Sequence, residues 1–145
     1  MAKEYAKVLK KLNVDFDVIG RSRKNSKLFQ KEFNINVFSG GLEFFFKRKD
    51  LSPYTNVINS SSIDSLKSTT LFLLEKGVEN ILLEKPGVAN SNEIESLFEK
   101  SNKYKKANIV LAYNRRFYAS VIKAKEIIKK DGGVNSFTFE FTEWG

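Results

Sequence analysis

Along the chain the apolar positions switch between a helical and a strand period, and each switch marks an element boundary. Ala2, Tyr5, Ala6, Val8, Leu9 and Leu12 recur at three-and-four spacing with Lys3, Lys7, Lys10 and Lys11 opposite, which predicts a helix over 2–12. A short strand over 15–19 ends at Gly20, and Leu28, Phe29 and Phe33 mark a second helix. A strand over 35–38 comes next, then Gly40-Gly41, a short helix over 42–49, a loop at Pro53 and a strand over 56–59. Leu66, Leu71, Phe72 and Leu74 predict a helix that stops at Gly77, before an apolar strand over 80–83. Asn90 and Glu93 have capping-box spacing ahead of the stripe Ile94, Leu97 and Phe98. The next strand covers 108–112, and a long helix over about 115–130 turns Val121, Ala124, Ile127 and Ile128 inward before Gly132-Gly133.

Helices alternating with short apolar strands imply right-handed crossovers onto a parallel sheet, the doubly wound α/β arrangement. The segment 137–142 differs: its strict alternation, carried by Phe137, Phe139 and Phe141, predicts a half-exposed antiparallel strand, the first of a second region. No internal repeat or low-complexity segment interrupts the pattern.

Composition narrows the chemistry. With no His and no Cys in 145 residues, His-dependent nucleophiles, His or thiolate metal sites and disulfides are all excluded. No metal site is expected. Apolar runs break after about five residues, against the roughly 18 that a membrane-spanning helix needs, and 1–5 is charged and amphipathic, unlike a secretory signal. The expected location is the cytoplasm, with no membrane partner. The net charge of +8 would favour nucleic acid, but 20 of the 25 cations are scattered lysines and the phenylalanines sit at core periodicities, so no nucleic-acid partner is expected.

In open α/β sheets ligands bind beyond the carboxyl ends of the strands. Those ends carry Gly20-Arg21-Ser22, Ser60-Ser61-Ser62, Glu84-Lys85-Pro86 and Tyr113-Asn114-Arg115-Arg116-Phe117, more polar and cationic groups than a structural sheet requires. Pro86 biases Lys85 to extended geometry, from which its ammonium can bind a substrate hydroxyl or, when desolvated, shed a proton. A solvated Glu-Lys pair at a loop is the plain alternative. Arg21 sits where a dinucleotide-binding sheet carries an acidic residue for NAD, and a guanidinium there favours the 2′-phosphate of NADP; a surface arginine is the alternative.

Glu84-Lys85-Pro86 after one strand, with Tyr113-Asn114-Arg115-Arg116-Phe117-Tyr118 at the end of the next, resembles the glucose-fructose oxidoreductase / inositol dehydrogenase (Gfo/Idh/MocA) family of NAD(P)-dependent oxidoreductases. The resemblance runs over the whole chain. It implies an incomplete Rossmann domain over 1–117 and, over 118–145, a linking helix and the first strand of a truncated α+β domain. It also implies that Lys85 is the catalytic lysine beside nicotinamide and substrate, that Glu84 lines the cofactor crevice, and that Ser60, Ser61 and Ser62 contact ribose and phosphates. Arg21 and Ser22 would sit at the adenosine end, and Arg116 would reach cofactor or substrate from the hinge; for Arg116 an ion pair capping the long helix is the alternative. Leu66 departs from the family's frequent histidine.

A dinucleotide site needs Gly-x-Gly-x-x-Gly between the first strand and first helix, so that backbone amides cradle the diphosphate. This chain begins with the helix, and 1–5 resembles the family's segment immediately after the glycine loop, so the expected natural start lies upstream. In strand order 3-2-1-4-5-6 the missing strand is central. The chain is therefore expected to close the gap, borrow a strand or be marginally folded, with exposed sheet edges open to homo-oligomer formation. The family's His and Asp acid-base residues are absent. Two readings remain: the N-terminal part of an NAD- or NADP-dependent oxidoreductase acting on a sugar, sugar derivative or cyclitol, inactive as this chain; or a non-catalytic interaction module derived from a Rossmann domain.

Overall fold

In the computed structural model, which describes residues 1–48, 54–138 and 140, helices and parallel strands alternate. The chain divides into two compact units, 1–112 and 113–145.

The first unit opens with α1 (Ala2–Lys11), which buries Ala6 and leaves its lysines outside. Strand β1 (Val18–Gly20) and α2 (Arg23–Phe33) come next. The Ser22 hydroxyl caps α2 by accepting from the Asn25 N–H at 3.3 Å, and Asn34 ends it in the left-handed region at φ 51°. Then come β2 (Val37–Ser39), α3 (Gly41–Phe46), β3 (Asn56–Asn59), α4 (Ile63–Glu75), β4 (Asn80–Leu83), α5 (Ser91–Ser101) and β5 (Asn108–Leu111). Helix α4 closes with two crossed bonds, Val78 N–H to Leu73 O at 3.1 Å and Gly77 N–H to Leu74 O at 2.9 Å. Gly77 takes φ 82°, where an added side chain would be strained, so the stop expected there has a backbone cause. At α5, Asn90 Oδ1 accepts from the Glu93 N–H at 3.1 Å, while the Glu93 carboxylate reaches one residue beyond the usual box to the Ala89 N–H, at 2.9 Å.

The strands form two separate parallel sheets. β1 pairs with β2, Val18 opposite Val37, and β3, β4 and β5 pair in that order, Asn56 opposite Asn80 and Asn80 opposite Asn108. In the doubly wound order 3-2-1-4-5-6 these are the 3-2 and 4-5-6 blocks, with the place of the central strand between them. No strand among the described residues bridges β1 to β3, so the gap stays open. The larger core lies under the three-stranded sheet, where Leu66, Leu73, Leu74, Ile81 and Leu83 are almost completely buried. The two-stranded side buries Ala6, Phe33, Val37 and Phe45.

Three local expectations are corrected. β1 begins at Val18 and not at residue 15, because its ladder with β2 starts at Val18 opposite Val37 and 15–17 has no partner strand there. The helix expected over 115–130 is a 3₁₀ turn, Asn114–Phe117, followed by α6 (Ala119–Lys130), with Tyr118 extended between them at φ −63° and ψ 139°. Its stripe is not inward: α6 buries no residue, and Ile127 and Ile128 are 50% and 40% exposed, since an amphipathic face stays in solvent unless another element covers it. Phe137 and Thr138 are not in a strand and Phe137 is 84% exposed. The rest of the alternation, at Phe139 and Phe141, lies outside the described residues, as does Pro53. Among the described residues no helix is long and apolar enough to cross a membrane.

Candidate functional site

A slot of about 1080 Å³ is lined by residues of both β1 and β3, and also by Ile81 and Leu82 of β4 and Asn108 and Val110 of β5. Ala2 and Leu9 of α1, Phe45 and Phe46 of α3 and Leu73 of α4 contribute to its lining. Its two ends differ in polarity. Asp15, Asp17 and Asn56 line it where β1 and β3 begin, and Arg21, Ser60, Ser61 and Ser65 line it where they end.

The carboxyl end is held by a polar network. Arg21, just past β1, donates from one guanidinium nitrogen to Ser62 Oγ at 3.1 Å and from another to Ser65 Oγ at 3.2 Å, so its side chain reaches from the end of β1 to the first turn of α4. Both acceptors are neutral hydroxyls, so these bonds do not offset the guanidinium's positive charge, and the residue is exposed. Ser62 and Ser65 hydroxyls are also 3.2 Å apart. Ser61 lies under this pair, its hydroxyl donating to Asn59 Oδ1 at 2.9 Å. Asn59 is buried at the last position of β3, where its amide donates to Leu66 O and Thr70 Oγ1, each at 3.0 Å. A side chain with both donors and an acceptor thus fixes the turn that presents the serines.

At the end of β4, Glu84 is 6% exposed and accepts from the Tyr5 hydroxyl at 2.6 Å. Burial, and then the bond and charge of Glu84, push the Tyr5 hydroxyl pKa well above its usual 10. The Glu84 N–H donates to Asn59 O at 2.9 Å, which places the residue beside the serine turn. Lys85 is next along the chain, exposed and joined to Pro86 by a cis peptide bond.

The eight residues singled out from the sequence therefore fall into three groups. Arg21 and Ser62 are hydrogen-bonded to each other, with Ser60 and Ser61 beside them on the slot lining and Ser22 committed to capping α2. Glu84 points inward to Tyr5, whereas Lys85 is exposed and is not among the residues lining the slot. Arg116 belongs to the second unit, where its Nε donates to Tyr113 O at 3.1 Å and its guanidinium lies 5.9 Å from the Tyr113 and Phe117 ring centres. Sequence reasoning missed Tyr5, Asn59 and Ser65. Tyr5 fits the apolar stripe of α1, and the hydroxyl that separates it from a phenylalanine was the only signal of a polar task.

A guanidinium bonded to two hydroxyls has the chemistry to bind ribose hydroxyls and a phosphate.

No family model and no curated protein matches the chain by sequence. Solved structures match by fold. The WlbA dehydrogenase from Chromobacterium violaceum, solved with NADH and UDP-GlcNAcA, superposes with a TM-score of 0.76 at 15% identity, over 90% of this chain and 37% of that one. The WlbA (WbpB) dehydrogenase from Thermus thermophilus, solved with NAD and UDP-GlcNAcA, gives 0.69 at 21% identity, over 89% and 43%. Scyllo-inositol dehydrogenase from Lactobacillus casei, solved with NAD(H) and scyllo-inositol, gives 0.68 at 16%, over 81% and 33%. The chain thus has the Rossmann-like α/β fold of Gfo/Idh/MocA-type dehydrogenases, and it spans about two fifths or less of the length of these structures.

Proposed function

We propose that the chain is the nucleotide-binding portion of a Gfo/Idh/MocA-type oxidoreductase whose full form uses NADP or NAD to oxidise or reduce a hydroxyl or keto group on a sugar, sugar derivative or cyclitol. The observation that carries this reading is the convergence of Arg21, Ser60, Ser61 and Ser62 on one rim, at the carboxyl ends of β1 and β3. Ligands of open α/β sheets bind at such a position. The nicotinamide of a bound cofactor would exchange a hydride with the substrate carbon. Arg21 and Ser22 would bind the adenosine ribose and its phosphate, Ser60 to Ser62 would orient the ribose-phosphate backbone, and Glu84, held by Tyr5, would line the crevice. Lys85 is the proposed catalytic group, an exposed ammonium at the end of β4 able to hydrogen-bond a substrate oxygen, and Arg116 the proposed contact from the second segment.

In this reading 1–117 is the cofactor-binding part, 118–145 leads into a substrate domain, and the location is the cytoplasm. In the same reading, the chain by itself is expected to give no NAD(P)-linked turnover. The test is a titration of the purified chain, followed by amide chemical shifts, with 2′,5′-ADP and with 5′-AMP. The reading expects shifts at residues 20–22 and 60–65 that are larger with 2′,5′-ADP and are lost in Arg21→Ala. Absence of shifts with either nucleotide overturns it. The second reading, a non-catalytic interaction module, has one observation in its favour, the open slot.

A further inference from the structure

Helix α5 runs against the charge of the chain, which is +8 overall: it carries Glu93, Glu95 and Glu99 with Lys100 as its one cation. Glu93 is occupied by the Ala89 N–H and by Lys67 at 3.8 Å. Glu95 and Glu99 form no ion pair among the described residues, and at i,i+4 spacing they repel each other. In the row beside them Ile94 and Phe98 stand at the same spacing, both exposed, Phe98 by 67%. Helix α1 has the converse pattern. Val8 and Leu12 form an exposed apolar pair at i,i+4 spacing, and Lys7 and Lys11 form the charged pair in the adjoining row. Lys11 forms no ion pair among the described residues, and the exposed bond from Lys7 to Glu4 leaves ammonium donors free.

We infer that α5 of one molecule docks on α1 of a second copy of this chain, with the two helices parallel. Charge selects the occupant, because an apolar ridge flanked by carboxylates fits an apolar ridge flanked by lysines. The order of the rows selects the direction. On α5 each carboxylate follows its apolar neighbour, Ile94-Glu95 and Phe98-Glu99, whereas on α1 each lysine precedes it, Lys7-Val8 and Lys11-Leu12. Each step along a right-handed helix moves to the same side when seen from outside, so the charged rows lie on opposite sides of the apolar rows in the two helices. Turning α1 about its long axis to face α5 therefore brings like rows together, Val8 and Leu12 against Ile94 and Phe98, Lys7 and Lys11 against Glu95 and Glu99. An antiparallel arrangement sets the lysines on the apolar row instead. Both pairs repeat after roughly 6 Å along the axis, so the match holds over two turns. The contact buries Phe98 and offsets both like-charge repulsions. One helix face on another is smaller than a standard interface, so the association is weak and sensitive to salt.

The inference does not depend on cofactor binding, and its test contains no nucleotide. Sedimentation of the whole unaltered chain at low salt, from about 10 μM to about 1 mM, is expected to show mass rising with concentration. Amide shifts on dilution are expected at residues 4–12 and 91–102. The variants Glu95→Lys/Glu99→Lys and Lys7→Glu/Lys11→Glu each set like charges across the contact and weaken association about tenfold or more. Mixed in equal amounts, with folding checked by circular dichroism, the two recover it to within about threefold of the unaltered chain, since each then offers the other an opposite charge. A chain that stays monomeric at the highest concentration, dilution shifts confined to other residues, variants that associate as the unaltered chain does, or folded variants that do not recover on mixing each overturn the proposal. The dilution shifts are read on the unaltered protein, so a variant that fails to fold leaves the inference open to refutation.

Discussion

Tyr5 and Glu84, 79 residues apart, are joined by a 2.6 Å hydrogen bond that ties α1 to the end of β4. Tyr5 donates and the buried carboxylate accepts, so the bond anchors the first helix of the chain over the candidate crevice. Tyr5→Phe removes the donor and leaves a buried carboxylate short of a partner, for an expected loss of about 1–3 kcal/mol. Urea denaturation at pH 7 measures it. Glu84→Gln keeps an acceptor and the same shape, so it is expected to lose less than Tyr5→Phe.

The same hydroxyl sets an alkaline limit. Tyr5 is held protonated in the fold by burial and by Glu84, and Tyr54, bonded to Asp17, is pushed up to about 12, first by that bond and then by burial. A phenol whose folded pKa lies above its unfolded value of about 10 contributes stability that is complete below pH 10 and is lost as pH rises through the folded pKa. Stability is therefore expected to fall between about pH 10 and 12, and Tyr5→Phe and Tyr54→Phe to reduce the slope. Phenolate absorbance at 295 nm against pH, compared with the unfolded chain, checks it.

Gly20 and Ser26 form a second coupled pair. A Cβ on Gly20 would sit 2.5 Å from Ser26 Oγ, which is itself buried without a hydrogen-bond partner among the described residues. Gly20→Ala is expected to destabilise by about 1–3 kcal/mol through overpacking. In a Ser26→Ala background most of that loss disappears, because the nearest remaining side-chain atom is 3.7 Å away. A double-mutant cycle by denaturant melts gives the coupling.

Asn59 holds three partners in a turn that carries three serines. Asn59→Ala leaves Thr70 and Ser61 without its amide, for an expected loss of about 1–3 kcal/mol, and loosens the serine turn. Nucleotide-induced shifts at residues 60–65 are expected to weaken in the same variant more than in Leu97→Ala, which lies in the core under the three-stranded sheet.

How far the sequence can be read depends on what decides each element. β3 and β4 fall on the expected residues, 56–59 and 80–83, because they pair with each other along their whole length, Asn56 opposite Asn80 through Asn59 opposite Leu83. β1 is shorter than expected since strand length is set by pairing, and its ladder with β2 runs only from Val18 opposite Val37 to Gly20 opposite Ser39. The stripe of α6 reads correctly as amphipathic, but periodicity does not say whether a face is covered, and here it is exposed. At the candidate site the strand-end rule brought Arg21 and Ser60 to Ser62 into view, while the Tyr5–Glu84 bond depends on a helix-to-sheet contact that no local pattern encodes.

Because no ladder among the described residues joins β1–β2 to β3–β4–β5, the two sheets do not share one hydrogen-bonded backbone there. Their cohesion depends on side chains such as Arg21 and Tyr5 and on the helices around them, and the larger apolar cluster belongs to the three-stranded block. Melting of the first 112 residues should then proceed in two stages, with the β1–β2 layer detaching while the β3–β4–β5 block survives as a smaller, still cooperative remnant.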